Sequence, residues 1–125
     1  MQVKINTREK YHVITIQELQ LTANMTEQIQ AGLLIYLKNP IKNLILDLKD
    51  INTMDDAAAE TLINIQQTFY EQNASFVICS LQSSLQQKLD STRLLEIMNE
   101  VPTLLEAADI IHMEEIEREL LEDGL

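Results

Sequence analysis

The sequence predicts a single α/β domain built on a mixed, mostly parallel β-sheet covered by about four α-helices. Three observations carry this. Short β-branched runs alternate with longer stretches of helical spacing, the pattern of parallel strands joined by crossover helices. Two of the runs, "NLILDLKD" at 43–50 and "SFVICSL" at 75–81, hold consecutive apolar residues at 44–46 and 76–79, which suggests interior strands buried on both faces. With 125 residues, 46% of them hydrophobic, the chain is long enough for one ordinary core without metal or disulfide staples.

Each element can be justified in order. "KYHVITIQ" (10–17) is rich in β-branched residues and reads as a strand, with "QVKIN" (2–6) placed to pair with it as a hairpin. "NMTEQIQAGLLIYLKN" (24–39) sets Ile29, Leu33 and Tyr36 at helical spacing, starts near Thr22 or Asn24 and stops before Pro40. After the strand at 43–50, a helix runs from Asp55 to about Glu71, with Ala58, Leu62, Ile65 and Phe69 as its inward stripe. "QNAS" breaks it. The strand at 75–81 follows, then a short helix in "SSLQQKLDSTRLL" capped by Ser83 or Ser84. "EIMNEVP" suits a short edge strand ending at Pro102. Thr103 caps a final helix to about Leu121, whose apolar face is Leu104, Ala107, Ala108, Ile111, Ile116 and Leu120.

Composition removes several function classes. Net charge is −11, which opposes nucleic-acid phosphate and anionic membrane surfaces. Ten of the acids fall between Glu96 and the end, with Arg118 the one basic residue there. No apolar stretch approaches the ~20 residues that span a bilayer, and the N-terminus has no hydrophobic signal core; a cytoplasmic protein is expected. Cys79, the only cysteine, lies inside an apolar strand and reads as a buried, inert thiol. His12 and His112 fall on different elements, and no Ser-His-Asp pattern, GxGxxG, P-loop or CxxC occurs. No cofactor, metal or catalytic site is expected.

The stretch "LDLKDINTMDDAAAETL" (46–62) is the one candidate site. Asp55 and Asp56 stand where a strand has ended and a helix begins. Asp55 at the N-cap can accept a backbone N–H from the next turn, and Asp56 in the first turn suits the helix dipole. Two alternatives stay open. A hard-cation site would recruit Asp50 to the pair, without the loop spacing of a dedicated calcium site. An acid/base pair would need one carboxyl with a raised pKa, whereas a helix N-terminus stabilises the ionised form.

The order and spacing of these segments resemble the STAS domain, the sulfate-transporter and anti-sigma-factor-antagonist family, over nearly the whole chain. "NLILDLKDINTMDD" is similar to the family strand that leads to an aspartate before its regulatory serine. "SFVICSLQSSLQQKLDSTRLLEI" and "VPTLLEAADII" resemble the segments that follow. The resemblance implies one STAS-like domain over 1–125. It also implies a protein-binding role at Met54, Asp55, Asp56, Ala57, Ala58 and Thr61. The family's usual Asp-Ser-Ser-Gly stretch falls here on Asp55, Asp56, Ala57 and Ala58. Ala57 therefore stands where a partner kinase normally phosphorylates a serine, and no phosphorylation is expected there. Thr53, Thr61, Ser83 and Ser84 remain as nearby hydroxyls. The implied partner is an anti-sigma factor or serine-kinase-like ATPase. Subunits of a scaffold or transport complex are the alternative, because members of that kind need not keep the serine. An enzyme or metal-binding protein using the two aspartates is the third hypothesis.

Overall fold

A computed structural model describes residues 1–122; Asp123, the last of the C-terminal acids, lies outside the described residues. The chain begins with an antiparallel hairpin, β1 (Val3–Thr7) and β2 (His12–Ile16). A two-residue strand β3 (Gln20–Leu21) leads through a 3-10 turn at Ala23–Met25 into α1 (Thr26–Leu34), which continues as a second 3-10 turn to Lys38. Then come β4 (Leu44–Asp47), β5 (Thr53–Met54), α2 (Asp56–Glu71), β6 (Phe76–Cys79), α3 (Ser83–Ser91), β7 (Glu100–Val101) and α4 (Leu104–Glu122). The main sheet has five strands in the order β1-β2-β4-β6-β7, and only β1 is antiparallel to its neighbour. The expected mixed, mostly parallel sheet with four helices is what the chain forms.

This order decides where the helices go. From β2 the sheet grows in one direction, through β4 and β6 to β7. Crossovers of constant hand that advance in one direction must all cover the same face. Accordingly Ile29 and Leu33 of α1, Leu62 and Phe69 of α2, and Leu85 and Leu89 of α3 share one core with Ile14, Leu46 and Ile78. The opposite face is left to α4. There Ala107 and Ile111 cover Val13, Ile45 and Val77, which the parallel register places side by side across three strands. Both faces of β4 and β6 are therefore buried, which explains their continuous apolar runs.

The helix ends follow local chemistry. Asn39 is extended (ψ 150°), as a residue before proline must be, and the α1 segment stops there. Helix α2 ends in a Schellman motif. Asn73 adopts φ 59° and donates its N–H to Tyr70 O, and Ala74 N–H bonds Phe69 O at 2.9 Å. Thr103 caps α4 as expected: its hydroxyl accepts the Glu106 N–H at 3.2 Å, and the Glu106 carboxylate turns back to the hydroxyl.

Two expectations need correction. The N-cap position of α3 is Gln82, with no side-chain cap; Ser83 and Ser84 sit inside the first turn and are exposed. The Gln82 amide instead donates to Lys49 O at 2.9 Å, fixing the start of α3 to the loop after β4. In α4, Ala107 and Ile111 are buried and Ala108 half-buried, but Leu104, Ile116 and Leu120 are exposed. Ile116 and Leu120 lie on the side of α4 turned away from Ala107 and Ile111, so the sheet does not cover them.

Cys79 is fully buried, and burial pushes its thiol up to about 11. A thiol-specific reagent at pH 8 is expected to leave the folded chain unmodified and to label one thiol per chain in strong denaturant. Rapid labelling of the folded protein would contradict the assigned burial.

Candidate functional site: the turn between β5 and α2

The turn at 53–58 is built from sequence-distant pieces. Strands β3 and β5 pair in parallel (Gln20↔Thr53, Leu21↔Met54), forming a two-stranded sheet separate from the main one. Leu21 and Met54 are its inward residues, both essentially fully buried. The Asp55 N–H bonds Leu21 O at 2.9 Å, which extends the pairing by one step. The starts of α1 and α2 are thus held side by side. On the other flank, the Lys88 ammonium of α3 donates to the Met54 carbonyl.

Asp55 occupies the N-cap position of α2 with extended backbone (φ −68°, ψ 153°), but its side chain does not cap that helix. Its carboxylate accepts the Ala23 N–H at 3.0 Å. The expected bond to α2's own next turn is replaced by one to the first turn of the neighbouring helical segment. The physical reason is proximity: the β3–β5 pairing brings an unsatisfied N–H from Ala23 within reach. Asp56 lies in the first turn of α2, as expected, and is exposed.

Removing the Asp55 carboxylate should loosen this tie. We expect Asp55→Ala to cost about 1 kcal/mol, the usual value of a helix N-terminal acceptor. Asp55→Asn keeps an acceptor and should lose much less. Thermal unfolding of the pair checks this; equal losses in both would show that the carboxylate's charge, not the bond to Ala23, is what matters.

The residues expected to bind a partner divide by exposure. Asp55, Asp56 and Ala57 are exposed, whereas Met54, Ala58 and Thr61 face the interior. The Thr61 hydroxyl donates to Ala57 O at 2.9 Å, within the helix. The surface offered at this turn is therefore Asp55–Asp56–Ala57, with Glu60 exposed one turn on. The alanine row has a packing role: Ala58 and Ala59 are fully buried, so α2 starts flush against the core.

Among the described residues no three His, Cys, Asp or Glu side chains group as metal ligands would. Asp50 lines an open depression of about 400 Å³ with Gln17, Glu18, Lys49, Asn52 and Gln82. His12 is buried and satisfied, by the Thr7 hydroxyl and by Ile41 O, each at 2.9 Å. His112 is exposed on α4, edge-on to Tyr11. An apolar groove of about 210 Å³ between β1 and α1 includes Val3, Ile5, Gly32 and Tyr36, with no acid, histidine or cysteine in its lining.

One polar cluster was not legible beforehand. The Tyr70 hydroxyl donates to Glu114 at 2.8 Å and accepts the Asn99 amide at 2.7 Å. Burial, with the Glu114 carboxylate beside it, raises the Tyr70 pKa well above the ordinary phenol value. The cluster joins α2, α4 and the residue before β7, so its role is to hold these together.

Comparison with known proteins agrees with this architecture. The STAS domain family model matches residues 2–107. The chain belongs to the STAS domain family. Among solved structures, an anti-sigma-factor antagonist (STAS) domain protein from Planctomyces limnophilus superposes with a TM-score of 0.72 at 20% identity, over 88% of this chain and 97% of that one. The anti-sigma factor antagonist SpoIIAA of Bacillus, in its unphosphorylated form, gives 0.68 at 14% identity, over 89% and 96%. A murine anion transporter, Solute Carrier 26 family member A9, gives 0.67 at 12% identity, over 83% of this chain and 18% of the transporter. No curated protein sequence matches.

Proposed function

We propose that this chain, as one module over 1–125, is a regulatory protein-binding domain of the anti-sigma-factor-antagonist type, acting in the cytoplasm without cofactor or catalysis. The observation that carries this reading is the turn itself. It is rigidly framed and exposed, it carries fixed negative charge at Asp55 and Asp56, and it ends in Ala57. SpoIIAA, which shares the fold, is known in phosphorylated and unphosphorylated forms. A methyl group cannot accept phosphate, so Ala57 makes this a module that is not switched at that position.

The partner is an anti-sigma factor or serine-kinase-like ATPase that docks on Asp55–Ala57 and the adjoining face of α2. Nucleic acid is a poor partner for a chain of net charge −11. Association should depend on the acids at the turn, so Asp56→Lys is expected to weaken it by tenfold or more, and high salt to weaken it as well.

Native co-purification of the tagged chain, with mass spectrometry, tests the reading. Recovery of an ATPase-type anti-sigma factor from wild type but not from Asp56→Lys supports it. Recovery of transporter or scaffold subunits instead would overturn it in favour of an accessory role. Ala57 is the observation that favours that second reading, since an accessory subunit has no need of a phosphoacceptor.

A further inference from the structure

Helix α4 has a second apolar face. Leu105, Met113, Ile116 and Leu120 are 74, 59, 57 and 48% exposed. At ~100° per residue they fall on one stripe, on the side of the helix opposite Ala107 and Ile111. Scattered exposed hydrophobics need no explanation, but an ordered stripe does. Three of the four, Met113, Ile116 and Leu120, lie beyond the residues that match the family model.

The charges around the stripe have one sign. Asp109 sits within it, and Glu106, Glu117 and Glu119 are exposed beside it. Arg118, the only Lys or Arg of α4, is turned to the sheet, where it bonds Asn43, Ser75 and Glu115. A second copy would set these acids against their own kind. An anionic lipid surface would be repelled in the same way.

We propose that the outward face of α4 is a docking surface for a basic amphipathic α-helix of another protein. Such a helix buries the stripe with side chains at i, i+3, i+4 and i+7, and its Lys or Arg flanks neutralise Glu106, Asp109, Glu117 and Glu119. From Leu105 to Leu120 the stripe runs about 22 Å at ~1.5 Å per residue, which sets the partner helix at roughly four turns. The surface lies on the opposite face of the sheet from the β5–α2 turn, so it can be tested apart from that site.

The probe is a fluorescent, mainly Leu/Lys amphipathic helix of about sixteen residues, long enough to hold helical structure. Its control carries Glu in place of Lys. Anisotropy is expected to show saturable binding of the Leu/Lys helix and none of the control. Binding should weaken at least tenfold in a triple variant, Met113→Gln, Ile116→Gln, Leu120→Gln, whose folding is checked by thermal unfolding. It should also weaken severalfold between about 50 and about 300 mM salt. No saturable binding at roughly 100 μM, or equal binding to the triple variant, would overturn the proposal. So would a dimer of the chain, or adsorption to neutral vesicles, that the triple variant abolishes; the stripe would then belong to a second copy or to lipid.

Discussion

Asn43→Ala is expected to lower the stability of the fold by about 3 kcal/mol, from one buried N–H left without a partner and three part-buried hydrogen bonds lost. Asn43 is buried at the start of β4, and its amide works in four directions. The Nδ2 group donates to Lys10 O at 3.0 Å and to the Glu115 carboxylate at 2.7 Å. The Oδ1 atom accepts the Ser75 N–H at 2.8 Å and the Arg118 guanidinium at 3.2 Å. One side chain thereby joins the segments that start β2, β4 and β6 to the second half of α4. Alanine leaves the Ser75 N–H orphaned in a fully buried residue and strips a partner from the Glu115–Arg118 pair. Urea unfolding should show the loss as a lower midpoint at unchanged slope. A cost under about 1 kcal/mol would mean that water replaces the amide there.

The same junction gives a pH dependence with a definite sign. The Asn43 amide and the Arg118 guanidinium hold the Glu115 carboxyl below its ordinary value of 4.5. The folded chain then keeps this group ionised where the unfolded chain would bind a proton. Its contribution is fully present above about pH 4.5 and is lost as pH falls further, through the folded value. Glu100 runs the other way: burial and nearby Glu106 raise it, so its contribution weakens as pH rises through the carboxylate range. The measurement that separates them is unfolding against pH in Glu115→Gln. That variant should lose much of the acid-side decline and keep the Glu100 effect. An unchanged acid limb would remove Glu115 from the explanation.

What was legible in the sequence follows from the range of the forces involved. Interior strands announce themselves because burial on both faces demands consecutive apolar residues, as at 44–46 and 76–79. The α2 stripe and the Thr103 cap depend on neighbours within four residues, so spacing revealed them. The β3–β5 pair did not show, because two-residue strands carry no periodicity and their pairing spans more than thirty residues. The same distance hid the partner of Asp55: the residue type said acceptor, but only the fold says that Ala23 supplies the N–H. Asn43 read as the polar start of a strand, and nothing near it in sequence hinted at Ser75, Glu115 or Arg118. On α4 the apolar spacing was real, yet spacing alone cannot tell a stripe that meets the sheet from one that faces away from it.

The turn at Ala57 carries the other large prediction. Ala57→Ser is expected to convert a chain that takes no phosphate at this position into one that takes one phosphate per chain, given an ATPase partner recovered with it. Ala57 is exposed and is the second residue of α2, so a hydroxyl there would be open to a kinase and no packing would be lost. The phosphate would add about −1.5 to −2 charges at pH 7 beside the fixed charge of Asp56. Docking would bury that phosphate against Asp56, at a cost in desolvation and in repulsion between the two anions, so the phosphorylated Ala57→Ser chain should lose partner affinity by tenfold or more. Unphosphorylated Ala57→Ser should bind as wild type does, since one exposed hydroxyl changes neither charge nor packing. Peptide mapping must place the phosphate at 57, because Thr53, Ser83 and Ser84 also expose hydroxyls. Failure of Ala57→Ser to be phosphorylated by that partner would mean that something besides the missing hydroxyl, with Asp56 the first suspect, keeps the kinase from this turn.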